Sequence, residues 1–271
     1  MTGLLVELAP GTTGVQLVTI DRPEARNALT AEMRREFAAI MAASDADPTI
    51  DVVILTGTDP AFSAGVDLKE RLGGDSPPPR VKPNPGEALR AMSTPVICAV
   101  NGTCVTGALE MALSATFVIA SDRARFADTH GKVGLLPGWG LSTLLPNAVG
   151  LRWARQMTIT GGFVDAPSAL RIGLVNEVVP HDELLPRAVE LGNAIAACDR
   201  NAVRASLALY TKGQGVPLDE GLRLEQAALA AFRVDSASAR DRFAAQTGGT
   251  PNTGTPGNGT PGNGTPENGA K

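Results

Sequence analysis

The chain has 271 residues, 43% of them apolar, with 24 Lys and Arg against 28 Asp and Glu, for a formal net charge of −4. That balance gives no electrostatic footprint for nucleic acid or an anionic membrane, and no apolar run approaches the ~18 residues that span a bilayer. Three cysteines without a C-x-x-C pair (Cys98, Cys104, Cys198) argue against a disulfide scaffold and a cysteine zinc site.

The opening Met1-Thr2-Gly3-Leu4 has no basic or apolar leader, so a cytoplasmic protein is expected. Val15 to Ile20 alternates at a period of two and should pair with Leu4 to Leu8 across a Gly11–Gly14 turn. Thr30 is placed to cap a helix whose Met33, Phe37, Ile40 and Met41 share one face. Val52–Leu55, Val96–Val100 and Phe117–Ala120 read as fully buried strands. A helix is expected over Gly107–Leu113, and the alternation points to an α/β architecture.

Between Leu72 and Gly86 five prolines, from Pro77 to Pro85, mark a surface loop. From Ala188 the pattern is mostly helical, and from Gly248 a repeat of Gly, Thr, Pro and Asn lacks any large apolar side chain and reads as disordered. The expected organisation is a core over 1–187, a helical region over 188–247 and a tail over 248–271.

No G-x-G-x-x-G follows a strand, and G-x-x-x-x-G-K-[ST], H-E-x-x-H and G-x-S-x-G are all absent. Three segments do pair a buried strand with a small-residue turn. The first runs from Leu55 to Lys69, through Ala64-Gly65-Val66-Asp67-Leu68. The second runs from Pro95 through Asn101-Gly102 to Gly107 and Glu110, and the third from Phe126 through Asp128 and His130 to Gly140.

Amides at the start of a helix are unpaired and favour negative charge, so two such starts side by side offer the geometry that holds an oxyanion. Tight strand–helix packing explains any single Gly turn as well. Glu110 lies in Ala108-Leu109-Glu110-Met111-Ala112-Leu113, apolar on all sides, so burial should raise its pKa toward the range of proton transfer. Three residues separate it from Gly107, which puts both on one helix face; the alternative is a structural acid paired with an Arg. His130 should share a side with Asp128 and is either functional or structural, whereas His181 reads as a surface residue at a helix start. Two histidines without a cysteine pattern give no metal site.

Together these segments resemble the crotonase (enoyl-CoA hydratase/isomerase) superfamily, from about Val15 to Ala245. Asp21-Arg22-Pro23-Glu24-Ala25-Arg26-Asn27-Ala28-Leu29 is similar to the family's N-R-P-x-x-x-N-A-L. The F-x-A-G-x-D-[LI], N-G-x-x-x-x-G-x-x-E and G-x-x-P-G-x-G segments follow in order, then Gly173-Leu174-Val175-Asn176-Glu177-Val178. The resemblance implies a spiral of repeated ββα units, a C-terminal helical region that trimerises, and a homotrimer or dimer of trimers. It implies an acyl-CoA substrate whose thioester oxygen meets the amides of Val66 and Gly107, with no metal or cofactor beyond the coenzyme A of the substrate. Ala25, Arg26, Ala64, Gly65, Asp67, Leu68 and Lys69 would line the coenzyme A channel.

The family's hydratases set two carboxylates around one water; Glu110 stands at the first position and His130 at the second. Imidazole, with a pKa near 6.5, can take either proton-transfer role. The expected activity is hydration of a trans-2-enoyl-CoA. The alternatives are another crotonase reaction such as double-bond isomerisation, a non-catalytic acyl-CoA binder, or a serine peptidase of the caseinolytic type. Trp139 and Phe62 are candidates to shape the acyl pocket, with the proline-rich loop over part of it.

Overall fold

The computed structural model describes residues 3–73 and 80–247, with side chains to residue 245. The tail over 248–271 and the prolines at 77–79 lie outside the described residues. The chain divides into two compact units, Met1–Leu224 and Glu225–Lys271.

The first unit opens with the hairpin β1 (Leu4–Leu8) and β2 (Val15–Ile20), antiparallel with Leu4 opposite Ile20. A positive φ of 74° at Gly11 turns the chain, which suits a residue without Cβ. Helix α1 (Ala31–Ala46) follows; the Thr30 side chain accepts the Met33 amide, and Met33, Phe37 and Met41 are buried. Strand β3 (Val52–Gly57) returns parallel to β2.

From there the chain repeats one unit three times. Strand β3 leads to β4 (Ala61–Ser63) and the short helix α2 (Leu68–Leu72). After α3 (Pro85–Arg90), β5 (Val96–Val100) leads to β6 (Thr103–Val105) and α4 (Gly107–Ser114). Strand β7 (Phe117–Ser121) leads to β8 (Arg125–Ala127), a 3₁₀ turn at His130–Val133 and α5 (Leu141–Thr160), which breaks at Gly150.

The first strand of each repeat joins a large sheet of order β1-β2-β3-β5-β7-β10, and the second joins a smaller sheet of order β4-β6-β8-β9. Strand β9 (Val164–Asp165) closes the small sheet antiparallel to β8, before α6 (Ala166–Arg171). Strand β10 (Glu177–Val179) closes the large sheet parallel to β7.

The apolar runs of β3 and β5 have a simple cause. Val52, Ile54, Ile97 and Ala99 pack toward Leu184 and Ala188 of α7 (Leu184–Ala196), while Val53, Leu55, Cys98 and Val100 face the main core with Phe37, Phe62 and Leu109. Strands covered on both faces have no polar side to alternate with.

The proline-rich loop ends earlier than its composition implies. Asn84 caps α3 and Glu87 closes a capping box, so Pro85 is the first helical residue, where its missing N–H costs nothing. Helix α8 (Arg200–Gly213) is capped by Asp199, and α9 (Leu218–Ala231) begins before the boundary between the units. The second unit contains α10 (Ser236–Thr247), whose first amides at Ala237 and Ser238 are accepted by the Asp235 carboxylate. Among the described residues, no helix is long and apolar enough to cross a membrane.

Candidate active site

Strands β4, β6 and β8 are parallel neighbours, so the loops leaving them emerge side by side at one edge of the small sheet. The C-terminal edge of parallel strands is where α/β proteins hold ligands. These three loops are the three segments singled out by sequence.

The first loop is aimed by Leu29. Its amide donates to the Gly65 carbonyl at 2.7 Å, and its carbonyl accepts the Asp67 amide at 3.0 Å. Pairing through the residues on either side turns the Val66 amide away from Leu29 and into the cleft. Buried Asn27 anchors the approach, donating to the Thr58 and Ala61 carbonyls at 2.7 and 2.6 Å, which explains the motif residue.

The second loop presents the Gly107 amide, the first of α4, which a helix leaves unpaired. Among the described residues, neither the Val66 nor the Gly107 amide donates a hydrogen bond. The two loops touch: a methyl group on Gly65 would fall 2.9 Å from the Gly107 nitrogen and 2.4 Å from the Thr106 hydroxyl. Thr106 is held at φ 52°, ψ −120°, with its hydroxyl on the carbonyls of Ala64 (3.1 Å) and Val105 (2.7 Å).

Glu110 is one turn further along α4 and only 1% exposed. Its Oε1 accepts the amides of Trp139 at 2.6 Å and Leu141 at 3.2 Å, the latter opening α5. Burial pushes its pKa up, and the amides of Trp139 and Leu141 and the His130 ring only partly offset this. Its partner is not an Arg: Oε2 lies 3.7 Å from His130 Nε2.

His130 begins the 3₁₀ turn rather than continuing a strand, yet Asp128 does reach it, with Oδ1 2.7 Å from Nδ1. Burial works to raise the Asp128 pKa, but the His130 ring and amide and the nearby Thr158 hydroxyl outweigh it and hold the group below its ordinary range. Asp128 is therefore an anion at neutral pH. It keeps the proton on Nδ1 and leaves Nε2 facing Glu110.

One cleft of about 400 Å³ brings together Ala64, Val66, Leu68, Gly107, Glu110 and His130. Gly65 supports it from behind through its contact with Thr106 and Gly107. The other sequence candidates lie elsewhere. Asp67 faces Arg22 at 2.6 Å and caps α2, and the Arg22 guanidinium holds its pKa down. Lys69 is exposed on α2, Arg26 is exposed with its carbonyl on the Ala64 amide, and Ala25 ends a 3₁₀ turn; none of the three lines the cleft.

Trp139 does line the cleft, its ring so close that a methyl on Gly107 would meet it at 2.8 Å. Phe62, by contrast, is fully buried in the core. Sequence reasoning missed Arg34, Arg80 and Lys82 in the wall. Arg34 carried a signal, being four residues after the helix cap and so on the side of α1 that returns to Thr30.

His181 is not a free surface group. It bridges the Ser121 hydroxyl (3.0 Å) and Asp59 (2.9 Å). That Ser–His–Asp grouping is no hydrolytic site, because Ser121 is completely buried. Burial likewise raises the Cys98 and Cys104 thiols far from reactivity. Among the described residues, no group of three or more His, Cys, Asp or Glu could hold a metal.

Two unpaired amides beside a desolvated acid and an oriented imidazole are the groups an oxyanion-stabilising enzyme requires, carried here on a spiral of strand–strand–helix units. The chain belongs to the enoyl-CoA hydratase/isomerase family, whose sequence model matches residues 11–244. It is 37% identical over 214 residues to a probable enoyl-CoA hydratase of Rhizobium meliloti, covering 78% of this chain and 83% of that protein. The crystal structure of an enoyl-CoA hydratase from Mycobacterium tuberculosis H37Rv is similar at 49% identity and a TM-score of 0.70, over 83% of this chain and 96% of that one. A Bacillus anthracis enoyl-CoA hydratase superposes with a TM-score of 0.84 at 29% identity, over 92% of this chain and 98% of its own.

Proposed function

We propose that this protein is an enoyl-CoA hydratase, a hydro-lyase that adds water across the 2,3 double bond of a trans-2-enoyl-CoA. In this reading the thioester oxygen accepts the Val66 and Gly107 amides. Fixed donors of that kind stabilise the enolate oxygen more than the ground-state carbonyl.

Glu110 and His130 hold one proton between them. The water oxygen bonds to the β-carbon, its proton passes to the unprotonated member of the pair, and the π electrons move onto the thioester oxygen. When the enolate collapses, the protonated member delivers its proton to the α-carbon. One proton enters the pair and one leaves, so the pair is restored. Asp128 does not meet the substrate; it orients His130 and offsets the charge of an imidazolium.

The observation that carries this reading is the 3.7 Å approach of buried Glu110 to His130, in the cleft that also holds the two unpaired amides. The test follows the enoyl absorbance of trans-2-enoyl-CoAs from short to long chains. The wild-type chain should bleach them, and His130→Ala should lose ~10²-fold or more. Tight binding without any bleaching would leave a non-catalytic acyl-CoA binder instead. A homotrimer or a pair of trimers is the assembly proposed with it, supported by the exposed Tyr210 of α8 and Leu218 and Leu222 of α9, and sedimentation velocity checks it.

A further inference from the structure

The cleft wall is unusual for a site that would take a plain hydrocarbon chain. Its cationic lining is Arg34, Arg71, Arg80 and Lys82, against Glu110 as the one acid with His130 beside it. Lys82 is matched by Glu87. Arg34 is not matched in the same way.

The Arg34 side chain is 8% exposed, yet its contacts are few. Nε donates to the Thr30 carbonyl at 3.2 Å, and Nη2 stands 3.7 Å from Glu70 Oε2, beyond hydrogen-bond range. That Glu70 oxygen already accepts the Ala31 amide at 2.7 Å. Among the described residues, no acceptor reaches the two Nη groups. Burial lowers the Arg34 pKa and Glu70 raises it again, as expected for a cation incompletely neutralised. A guanidinium placed this way loses its water when an apolar chain enters and gains nothing in return. A carboxylate meets the same fork with two parallel charge-assisted bonds.

Position separates this site from the phosphates of coenzyme A. Helix α1 starts two residues after Leu29, whose backbone brackets the Val66 amide, and Arg34 folds back on the Thr30 carbonyl. The guanidinium is thus tied to the residue next to Leu29 and lines the same cleft as Val66, Gly107 and Glu110. The whole pantetheine arm separates the thioester from the first phosphate.

We infer that the acyl end of the cleft is an anion subsite: the substrate is a 2-enoyl-CoA whose acyl chain carries a carboxylate, received by Arg34 with Arg80 at the rim. The substrate class rests on the hydratase reading, whereas the subsite can be measured without turnover.

The experiment has two arms, each on the wild-type chain and on Arg34→Met, Arg34→Lys and Arg80→Met. Calorimetry compares glutaryl-CoA, butyryl-CoA and free coenzyme A; the enoyl absorbance compares glutaconyl-CoA with crotonyl-CoA. The wild type should favour the carboxylate-bearing ester about 10-fold or more in both arms. Arg34→Met should erase the preference, weakening glutaryl-CoA while butyryl-CoA binds at least as tightly as to the wild type, and Arg34→Lys should keep part of it. Should Arg34→Met fail to fold, the smaller loss expected of the rim variant Arg80→Met carries the same reading. Equal or tighter binding of butyryl-CoA by the wild type overturns the inference. So does an equal loss for all three ligands, which would assign Arg34 to the coenzyme A phosphates. A glutaryl-CoA preference with no turnover of either enoyl ester would sink the hydratase reading and leave the subsite standing.

Discussion

Thr106 allows the oxyanion geometry to be tested by a reversal of stability order. A β-branched residue at φ 52°, ψ −120° is strained, and such strain costs about 1–3 kcal/mol. What holds it there is one hydroxyl proton shared by the Ala64 and Val105 carbonyls, a net contribution of about 0.5–1.5 kcal/mol. Thr106→Ala loses the hydroxyl and keeps the strain. Thr106→Gly also loses the hydroxyl but sheds the strain, against about 0.5–1 kcal/mol of extra chain entropy. The glycine variant should therefore be more stable than the alanine variant by roughly 1–2 kcal/mol, the reverse of the ordinary order. Urea denaturation at equal m values measures the gap. The hydroxyl also ties the Val66 segment to the residue before Gly107, so both variants should lose about 10-fold in kcat with little change in KM, as expected when donors aimed at the transition state loosen. Thr106→Ser should restore most of it. An alanine variant as stable as the glycine one, or a glycine variant with full kcat, would refute the reasoning.

Glu110→Gln should lose ~10²-fold or more in turnover yet melt at a higher temperature than wild type under alkaline conditions. Burial holds the Glu110 pKa above its ordinary value. Its contribution to stability is therefore whole below the unfolded pKa and is lost as pH rises through the folded one, so the gap in Tm should open with pH; a constant gap from acid to alkali contradicts this. Asp128→Asn should leave the fold intact, lower kcat by about 10–10²-fold and move the pH profile of kcat/KM, because the amide can favour the wrong imidazole tautomer. An unmoved profile would make Asp128 merely structural. Gly65→Ala should destabilise by more than ~1 kcal/mol and abolish turnover, since φ there is 81° and the new methyl would lie 2.9 Å from the Gly107 amide; crystallography and a rate assay decide it.

Much of this fold is legible in the sequence because its signals are local. Thr30 caps its helix through its own side chain, and the β3 and β5 runs are apolar because both of their faces are covered. The centre of the site is legible for a related reason: the small residues at 65 and 107 and an acid inside an apolar helix violate local expectation, and such violations concentrate at function. The rest depends on contacts between distant segments. Nothing near Asp67 in the chain says that it faces Arg22 across 45 positions. Nor does the sequence around Pro180-His181 show that Asp59 and Ser121 will enclose the ring. The one local hint at Arg34 is its place a turn after Thr30, and its part in the cleft wall shows only once Val66 is paired with Leu29.

The proposed pairing of His130 with Glu110 becomes intelligible through charge. Two carboxylates sharing one proton carry a net charge of −1. Glu110 and His130 sharing one proton are neutral as a pair, and Asp128, held ionised 2.7 Å from the ring, restores the total to −1. The enolate forms against the same net field in both arrangements, with the anion moved to the far side of the imidazole. This equivalence predicts a coupled pair of substitutions. His130→Glu alone sets a third carboxylate beside two buried ones, and like charges at that range prevent joint ionisation, so its turnover should fall below that of His130→Ala. His130→Glu with Asp128→Asn removes the excess charge and should recover about 10-fold or more over the single variant, a non-additive gain that a double-mutant cycle on kcat measures directly. Simple additivity of the two losses would mean that Asp128 acts on the shape of the turn and not on its charge.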